Sequence, residues 1–269
     1  MNATKLNPIF ATQGSAKVSP KYGFANSNAI LETFKAQGWT VDSTQIAKVR
    51  NEADNGYQKH LVLLSNPNLP RIAGLSADNE SSVRLCLLNS HNASTSLQVF
   101  LGVLRIACLN GIIAGKGFRY FRAVHSANII ERLQQGISYV TQGVPELVQN
   151  VQYLQSVQLN IEHRIQLARL VLPARFENVG GLLGYDLTCV ERALRTADTA
   201  QDAYTVANRL QEYLIRGGIP YSYTRNVKDL NGNIIDQKIV HTRTKLVSSI
   251  GTQIKLNEAL FAGIKQVLA

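Results

Sequence analysis

The sequence predicts an α+β protein, and three observations carry the prediction. From Trp39 to Val124 the chain breaks into short β-branched and apolar runs separated by turn residues. From Ala127 onward, apolar residues recur at helical spacing. Near the C-terminus, two polar runs flank Asn231-Gly232, a pair that favours tight hairpin turns. The expected architecture is an antiparallel sheet of about five strands in the first half, helices in the second, and a basic β-hairpin near the C-terminus. An N-terminal arm over 1–36 precedes a single α+β domain over 37–269. That domain is sheet-rich over 37–125, helical over 126–218, a hairpin over 219–246 and a C-terminal helix over 250–268.

The elements follow in order. Pro8, Gly14, Pro20 and Gly23 mark the arm, and Ile30, Leu31 and Phe34 predict a short helix over Asn28–Lys35 before Gly38. Trp39–Arg50 and Lys59–Ser65 read as strands joined through Asn55-Gly56, and Val83–Asn89 as the next. Leu97–Cys108 fits a strand through Val99, Leu101 and Val103, and a helix through Leu97, Leu101, Leu104 and Cys108. Phe118–Val124 closes the sheet. Helices are expected over Ala127–Val140, and from Leu147 to Leu172 with a break near Asn160. Gly180-Gly181 and Gly184 read as a loop. Helices follow over Tyr185–Arg195 and Ala200–Ile215, stopped by Gly217-Gly218. The hairpin arms are Tyr221–Lys228 and Ile234–Lys245, and Thr252–Leu268 forms the last helix.

Composition narrows the function. The 269 residues carry 28 Lys+Arg against 18 Asp+Glu, a net charge of +10. Such a balance points to a polyanion, although many basic proteins bind none. At 45% hydrophobic and 17% charged residues the chain has the makings of a core, which argues against disorder. The most apolar stretch, Leu97–Ala114, is interrupted by Arg105 and Asn110, so no membrane span is expected. Met1–Phe10 lacks the apolar run of a secretory signal. Cys86, Cys108 and Cys189 are widely spaced and read as buried free thiols. The expected location is the cytoplasm.

Several chemistries lack their residues. Gly111–Gly117 resembles a phosphate loop but has three residues between Gly111 and Gly115, and Gly117 follows Lys116 where a hydroxyl should hold magnesium. The histidines His60, His91, His125, His163 and His241 stand alone, without metal-ligand spacing. No catalytic residue, cofactor or metal is assigned from the sequence.

The chemical signal is basic residues interleaved with aromatics. Lys116, Arg119, Tyr120, Arg122 and His125 cluster around one strand. There the cations would meet phosphates and the rings would stack on bases, or the rings would fill the core with the cations outward. The hairpin adds Arg225, Lys228, Lys238, Arg243 and Lys245, with Tyr221 and Tyr223 beside them. A polar basic hairpin can track a nucleic-acid backbone, or be a solvated insertion or an oligomer contact. Arg105, inside apolar sequence, is either a buried ion pair or a groove residue.

Three blocks carry a family resemblance: Leu87-Leu-Asn-Ser90-His91-Asn-Ala-Ser94, Leu104-Arg105-Ile-Ala-Cys108-Leu-Asn110, and His125-Ser-Ala-Asn-Ile-Ile-Glu-Arg132. Weaker support comes from Ala200–Tyr204 through Tyr213-Leu214, and from Thr242-Arg243 through Lys255–Leu260. The chain resembles a phage and plasmid protein family of unknown function, whose pattern reads Asn-Ser-His-Asp-Gly-Ser, then Arg-Val-Val-Cys-x-Asn, then a helix-opening His. Asn92-Ala93 departs from that pattern, standing where the family has Asp-Gly. The family is in turn similar, remotely, to the phage single-strand annealing recombinases of the ERF and Redβ type. That resemblance implies single-stranded DNA held by its phosphates in a basic groove, strand annealing without ATP, and a homo-oligomeric ring or filament. The alternative is a protein-interaction or anti-defence factor of a mobile element. An enzyme would need His91 and His125 to converge with a carboxylate. The Asn89–Asn92 block reads as a turn satisfied by side-chain bonds, or as a ligand site.

Overall fold

The computed structural model describes residues 6–49, 51–69, 81–105 and 119–269. Contacts divide the chain into two compact units, one holding the described residues up to 150 and the other those from 151 on. The architecture is α+β, with an antiparallel five-stranded sheet in the first half, helices in the second, and a three-stranded sheet near the C-terminus.

In the first unit, β1 (Thr40–Ile46), β2 (His60–Ser65), β3 (Ser81–Asn89), β4 (Leu97–Arg105) and β5 (Tyr120–Ala123) pair in sequential order. His60 through Leu64 are all buried, as a continuous apolar strand covered on both faces requires. The polar strand β1 forms the exposed edge. The ambiguous element beginning at Leu97 is a strand because β3 and β5 supply ladders on both sides, pairing Leu87 with Val99 and Val99 with Phe121. The β2–β3 register sets His60 opposite Asn89.

Helix α1 (Ser27–Ala36) starts where the Asn26 side chain accepts the Ala29 N–H, and buries Ile30, Leu31 and Phe34. Helix α2 (Ile129–Thr141) lays Ile129, Leu133, Ile137 and Val140 against β4 and β5. Helix α3 (Val144–Ser156) contains the boundary between the units.

In the second unit, α4 (Ile161–Val171) begins at an Asn160 cap, placing the break at the position that the sequence indicates. A short α5 (Pro173–Phe176) follows, with proline tolerated in its first turn. Helix α6 (Ala203–Arg216) is buried from Ala203 to Ile215, and α7 (Ile250–Leu268) packs on both α4 and α6. Burying α6 demands partners for its polar groups. Glu212 takes Arg195 at 3.0 Å and Arg216 at 3.2 Å, and Arg209 donates to Gln201 at 2.8 Å.

Two expectations differ from the structure. The glycines at 180, 181 and 184 suggest a loop, yet β6 (Leu182–Tyr185) pairs with β7 (Pro220–Lys228), setting Leu182 opposite Tyr223 and Tyr185 opposite Tyr221. Tertiary pairing, not local propensity, makes this strand. The helix expected over Tyr185–Arg195 shrinks to a single 3₁₀ segment, Leu187–Glu191. Asp186 caps it through the Thr188 N–H, and Arg192 already has extended backbone. Strand β8 (Ile234–Arg243) completes the hairpin, with Gly232 at φ +87° in the turn.

Gly136 of α2 faces Phe121 of β5, and a Cβ there would stand 2.2 Å from the ring. Alanine gains about 1 kcal/mol of helix propensity, but displacing the ring costs about 1–3 kcal/mol. Gly136→Ala is expected to lower unfolding free energy by about 1 kcal/mol, and at most about 2 kcal/mol, read as an earlier urea midpoint at unchanged m-value.

Candidate functional site: a sealed histidine cluster and an acid-free groove

Two places gather chemistry-bearing side chains, one in each unit. The first is built on the β2–β3 register. His60 opens β2, Asn89 closes β3, and Ser27 opens α1. Ser27 Oγ lies 2.7 Å from His60 Nε2, 2.9 Å from Asn89 Nδ2 and 3.3 Å from His91 Nε2. The network assigns the tautomers. His60 Nδ1 lies 3.0 Å from the Gln58 carbonyl and carries a proton, so its Nε2 accepts from the serine. Asn89 donates to the same oxygen, so the serine's one proton is spent on His60. His91 Nε2 can then only donate to Ser27.

The N-terminal segment closes over this cluster. Asn89 Nδ2 donates to the Ala25 carbonyl at 3.0 Å, Tyr22 OH to the Ser90 carbonyl at 2.9 Å, and the Ser15 N–H to the His91 carbonyl at 2.8 Å. His125 bonds the Gly23 carbonyl at 3.1 Å and stacks on Tyr22 at 4.6 Å. His60 and His91 lie ring to ring at 5.2 Å, and both are fully buried. Burial pushes His60 down to about 4. Burial, with His60 and His125 nearby, pushes His91 down to about 3. His125 is lowered too, again mainly by burial. The imidazoles are therefore neutral at pH 7. No carboxylate among the described residues bonds them, and those residues hold no metal-binding group of three or more His, Cys, Asp or Glu. The arrangement ties the N-terminal segment, β2 and β3 together, and it offers no solvent-facing atom at His60 or His91.

The Asn89–Asn92 block is a turn satisfied by its own side chains. Asn89 Oδ1 accepts the Ser90 N–H, Ser90 Oγ accepts the Thr95 N–H, and Asn92 Oδ1 accepts the Ser94 N–H. Asn92 Nδ2 also donates to Asp54 at 3.1 Å, which an aspartate at 92 could not do. Ala93, where the resembling family has glycine, sits at φ +58°, in the left-handed region.

The second place lies on the C-terminal sheet. Phe176 of α5 stacks on Tyr185 of β6 at 4.5 Å and meets Tyr221 of β7 at 5.2 Å, and Tyr221 stacks on Tyr223 at 5.8 Å. Beside this ladder opens a groove of about 350 Å³, lined by Arg175, Tyr223, Arg243 and Lys245 among others, with no acid in its wall. The Arg175 guanidinium donates to the Lys245 carbonyl, while its Nε is buried without a partner. Alternation places Arg225 beyond Tyr223 on the same face of β7, opposite Lys238 of β8.

The cations expected to bind nucleic acid thus separate. Arg119 is taken up by Glu146 at 3.6 Å, the Tyr139 carbonyl and the Tyr139 ring. Arg122 is exposed and donates to Ser96. Tyr120 is half-buried opposite Phe100, and His125 belongs to the sealed cluster. Lys116 and the Arg105 side chain lie outside the described residues. Arg225, Lys228, Lys238, Arg243 and Lys245 are all exposed and form no ion pair with another described residue. Sequence reasoning passed over Ser27, His60, Arg175 and Phe176. Only His60, a polar residue opening an apolar strand, left a local trace.

The molecule is a two-unit α+β protein with a buried Ser-Asn-His seam in one unit and a basic, ring-lined groove in the other. Residues 16–244 match the family described as a domain of unknown function (DUF932), and the chain belongs to that family. It is 26% identical over 266 residues to the UPF0380 protein YfjQ of Escherichia coli strain K12, covering 97% of this chain and 87% of that protein. It is 25% identical, at the same coverage, to the UPF0380 protein YafZ of that strain. No solved structure matches the chain. No helix among the described residues is long and apolar enough to cross a membrane.

Two outcomes are expected. The buried imidazoles take up protons less readily folded than unfolded, where histidine titrates near ~6.5. Stability is therefore full above ~6.5 and is lost as pH falls toward the folded values of about 4 and about 3. A urea midpoint that does not fall between about pH 7.5 and about pH 5 would count against the sealed cluster. Separately, Ala93→Gly removes roughly 1–2 kcal/mol of left-handed strain and adds roughly 0.4–1 kcal/mol of unfolded-chain entropy. A net gain of about 0.5–1 kcal/mol is expected in the same measurement.

Proposed function

We propose that this chain is a nucleic-acid-binding protein of a mobile element, which holds single-stranded DNA on its C-terminal sheet and anneals strands without ATP. The observation that carries the reading is the acid-free groove, where a ladder of rings continues into unpaired cations on one face of the hairpin. Rings spaced about 4.5–5.8 Å along the ladder offer stacking surface that any base can use. Arg225 and Lys238 supply charge for phosphates on the ring-bearing face, Arg243 and Lys245 line the groove, and Arg175 Nε is a buried donor still lacking an acceptor. Strand β5 contributes less, because Arg119 already spends its charge on Glu146. The resemblance to phage annealing recombinases supports annealing as the use of such a surface. A protein-interaction role draws instead on the exposed Leu230, Ile234, Ile235 and Ile239 of the same hairpin.

The test is a salt titration of binding to a fluorescent oligothymidylate and to a duplex of equal length. Binding is expected to prefer the single strand and to fall steeply with salt. Arg243→Ala with Lys245→Ala should lower the log–log salt slope by about 0.7 for each single-strand phosphate that is no longer neutralised. Tyr223→Ala should cost about 1–3 kcal/mol if a base stacks there. No binding at low salt, or equal affinity in all variants, would remove the reading.

A further inference from the structure

Strand β8 is the outer strand of the β6-β7-β8 sheet, and residues 234–239 are exposed along it. Its outward backbone groups can be identified from the register. The Thr244 N–H bonds the Ile219 carbonyl, so Thr244 points inward toward the preceding arm of the hairpin. Arg243 pairs with Pro220, which has no N–H to give. Alternation then turns the N–H and C=O groups of Arg243, His241, Ile239 and Gln237 away from β7. Gln237 agrees, since its N–H is taken by the Asp236 side chain at 2.7 Å. An edge of this kind is an open template for another strand.

The strand is also complementary to itself. It reads Ile234-Ile235-Asp236-Gln237-Lys238-Ile239-Val240, a pattern of apolar and charged residues that inverts about Gln237. Laid antiparallel on a second copy and centred on Gln237, each Asp236 faces the other copy's Lys238, and each Ile235 faces the other copy's Ile239. Within one chain, Lys238 lies opposite Arg225, a like-charged pair with no acid at ion-pair distance among the described residues. The second copy's Asp236 would bring the missing carboxylate. That carboxylate is free to move, because the Gln237 N–H it now accepts would pass to the second copy's Gln237 carbonyl.

We propose that two copies of this chain associate through β8, in a two-fold antiparallel pairing centred on Gln237 that makes one six-stranded sheet. The interface is isologous, the same patch on both copies. The register shift between Val227 and Lys228 falls at Ile235, which faces Ile239 of the other copy, so the two-fold axis makes it limit the paired stretch at both ends. Thr242 to Lys245 lie beyond that stretch, so both grooves stay open. The two-fold axis stands perpendicular to the sheet, and both ring ladders therefore face the same way.

The test is sedimentation velocity of the full chain over a wide concentration range, with charge reversals on the edge. The wild-type chain is expected to show a concentration-dependent monomer–dimer equilibrium. Asp236→Lys sets Lys against Lys, and Lys238→Asp sets Asp against Asp, so each single variant should dimerise at least roughly tenfold more weakly. Mixing the two single variants places opposite charges together again and should restore a 1:1 dimer. The double swap in one chain should do the same, which separates a pairing defect from a folding defect. A wild-type chain that stays monomeric throughout would overturn the proposal. So would self-association indifferent to both reversals, or reversals that neither the mixture nor the double swap repairs.

Discussion

The first unit depends on one hydroxyl. Ser27 Oγ accepts from Asn89, gives its proton to His60 and receives His91, so three side chains converge on an atom with one donor and two lone pairs. The cluster is buried, and a polar atom left unpaired there costs about 1–3 kcal/mol. The bonding therefore sets where the N-terminal segment can lie. Asn89 reaches back to Ala25, Ser15 to His91 and His125 to Gly23, so residues that look like a loose arm in sequence become a cover for the sheet. Each tie goes to a backbone group, which fixes the path of the chain more than the identity of its side chains.

This arrangement explains why histidines from separate positions gather without forming a reactive site. A general base needs access to a substrate proton and a pKa near the working pH. Burial keeps His60 and His91 neutral and withdrawn from solvent. The convergence that would suggest catalysis in an open cleft here marks a polar seam, fully bonded except at the His91 Nδ1 and His125 Nε2 atoms.

Much of the fold was legible because it rests on local pattern. The apolar run from Leu61 to Leu64, the Asn160 cap, the Gly217-Gly218 stop at φ +89° and +92°, and the Asn231-Gly232 turn each carry their own signal. What was illegible rests on pairing between distant residues. β6 exists because β7 accepts it, although its glycines argue for a loop. Arg175 and Phe176 join the hairpin groove only because α5 packs near Tyr221, far away in sequence. The ion pair at Arg119 was illegible for a similar reason. A cation beside aromatics reads alike in sequence whether solvent or Glu146 neutralises it. The hairpin's cations keep their charge in the fold, since no described acid outside the hairpin folds back to pair with them.

The hairpin can serve both proposed roles because a β-strand separates its faces from its edge. Side chains leave the sheet above and below, whereas unpaired backbone groups lie in its plane. Tyr221, Tyr223 and Arg225 occupy a face, and the outward groups of Gln237 and Ile239 occupy the edge. A polyanion on the face and a second strand on the edge therefore do not compete for the same atoms. They do compete for charge at Lys238, which sits on the ring-bearing face and yet belongs to the paired stretch. In a paired sheet Asp236 of one copy would neutralise Lys238 of the other, leaving Arg225 as the cation next to each ladder. The sheet would then present two ring-and-arginine tracks separated by a neutral seam. A single strand of DNA would follow one track, and a complementary strand the other, with neither repelled by an acid between them.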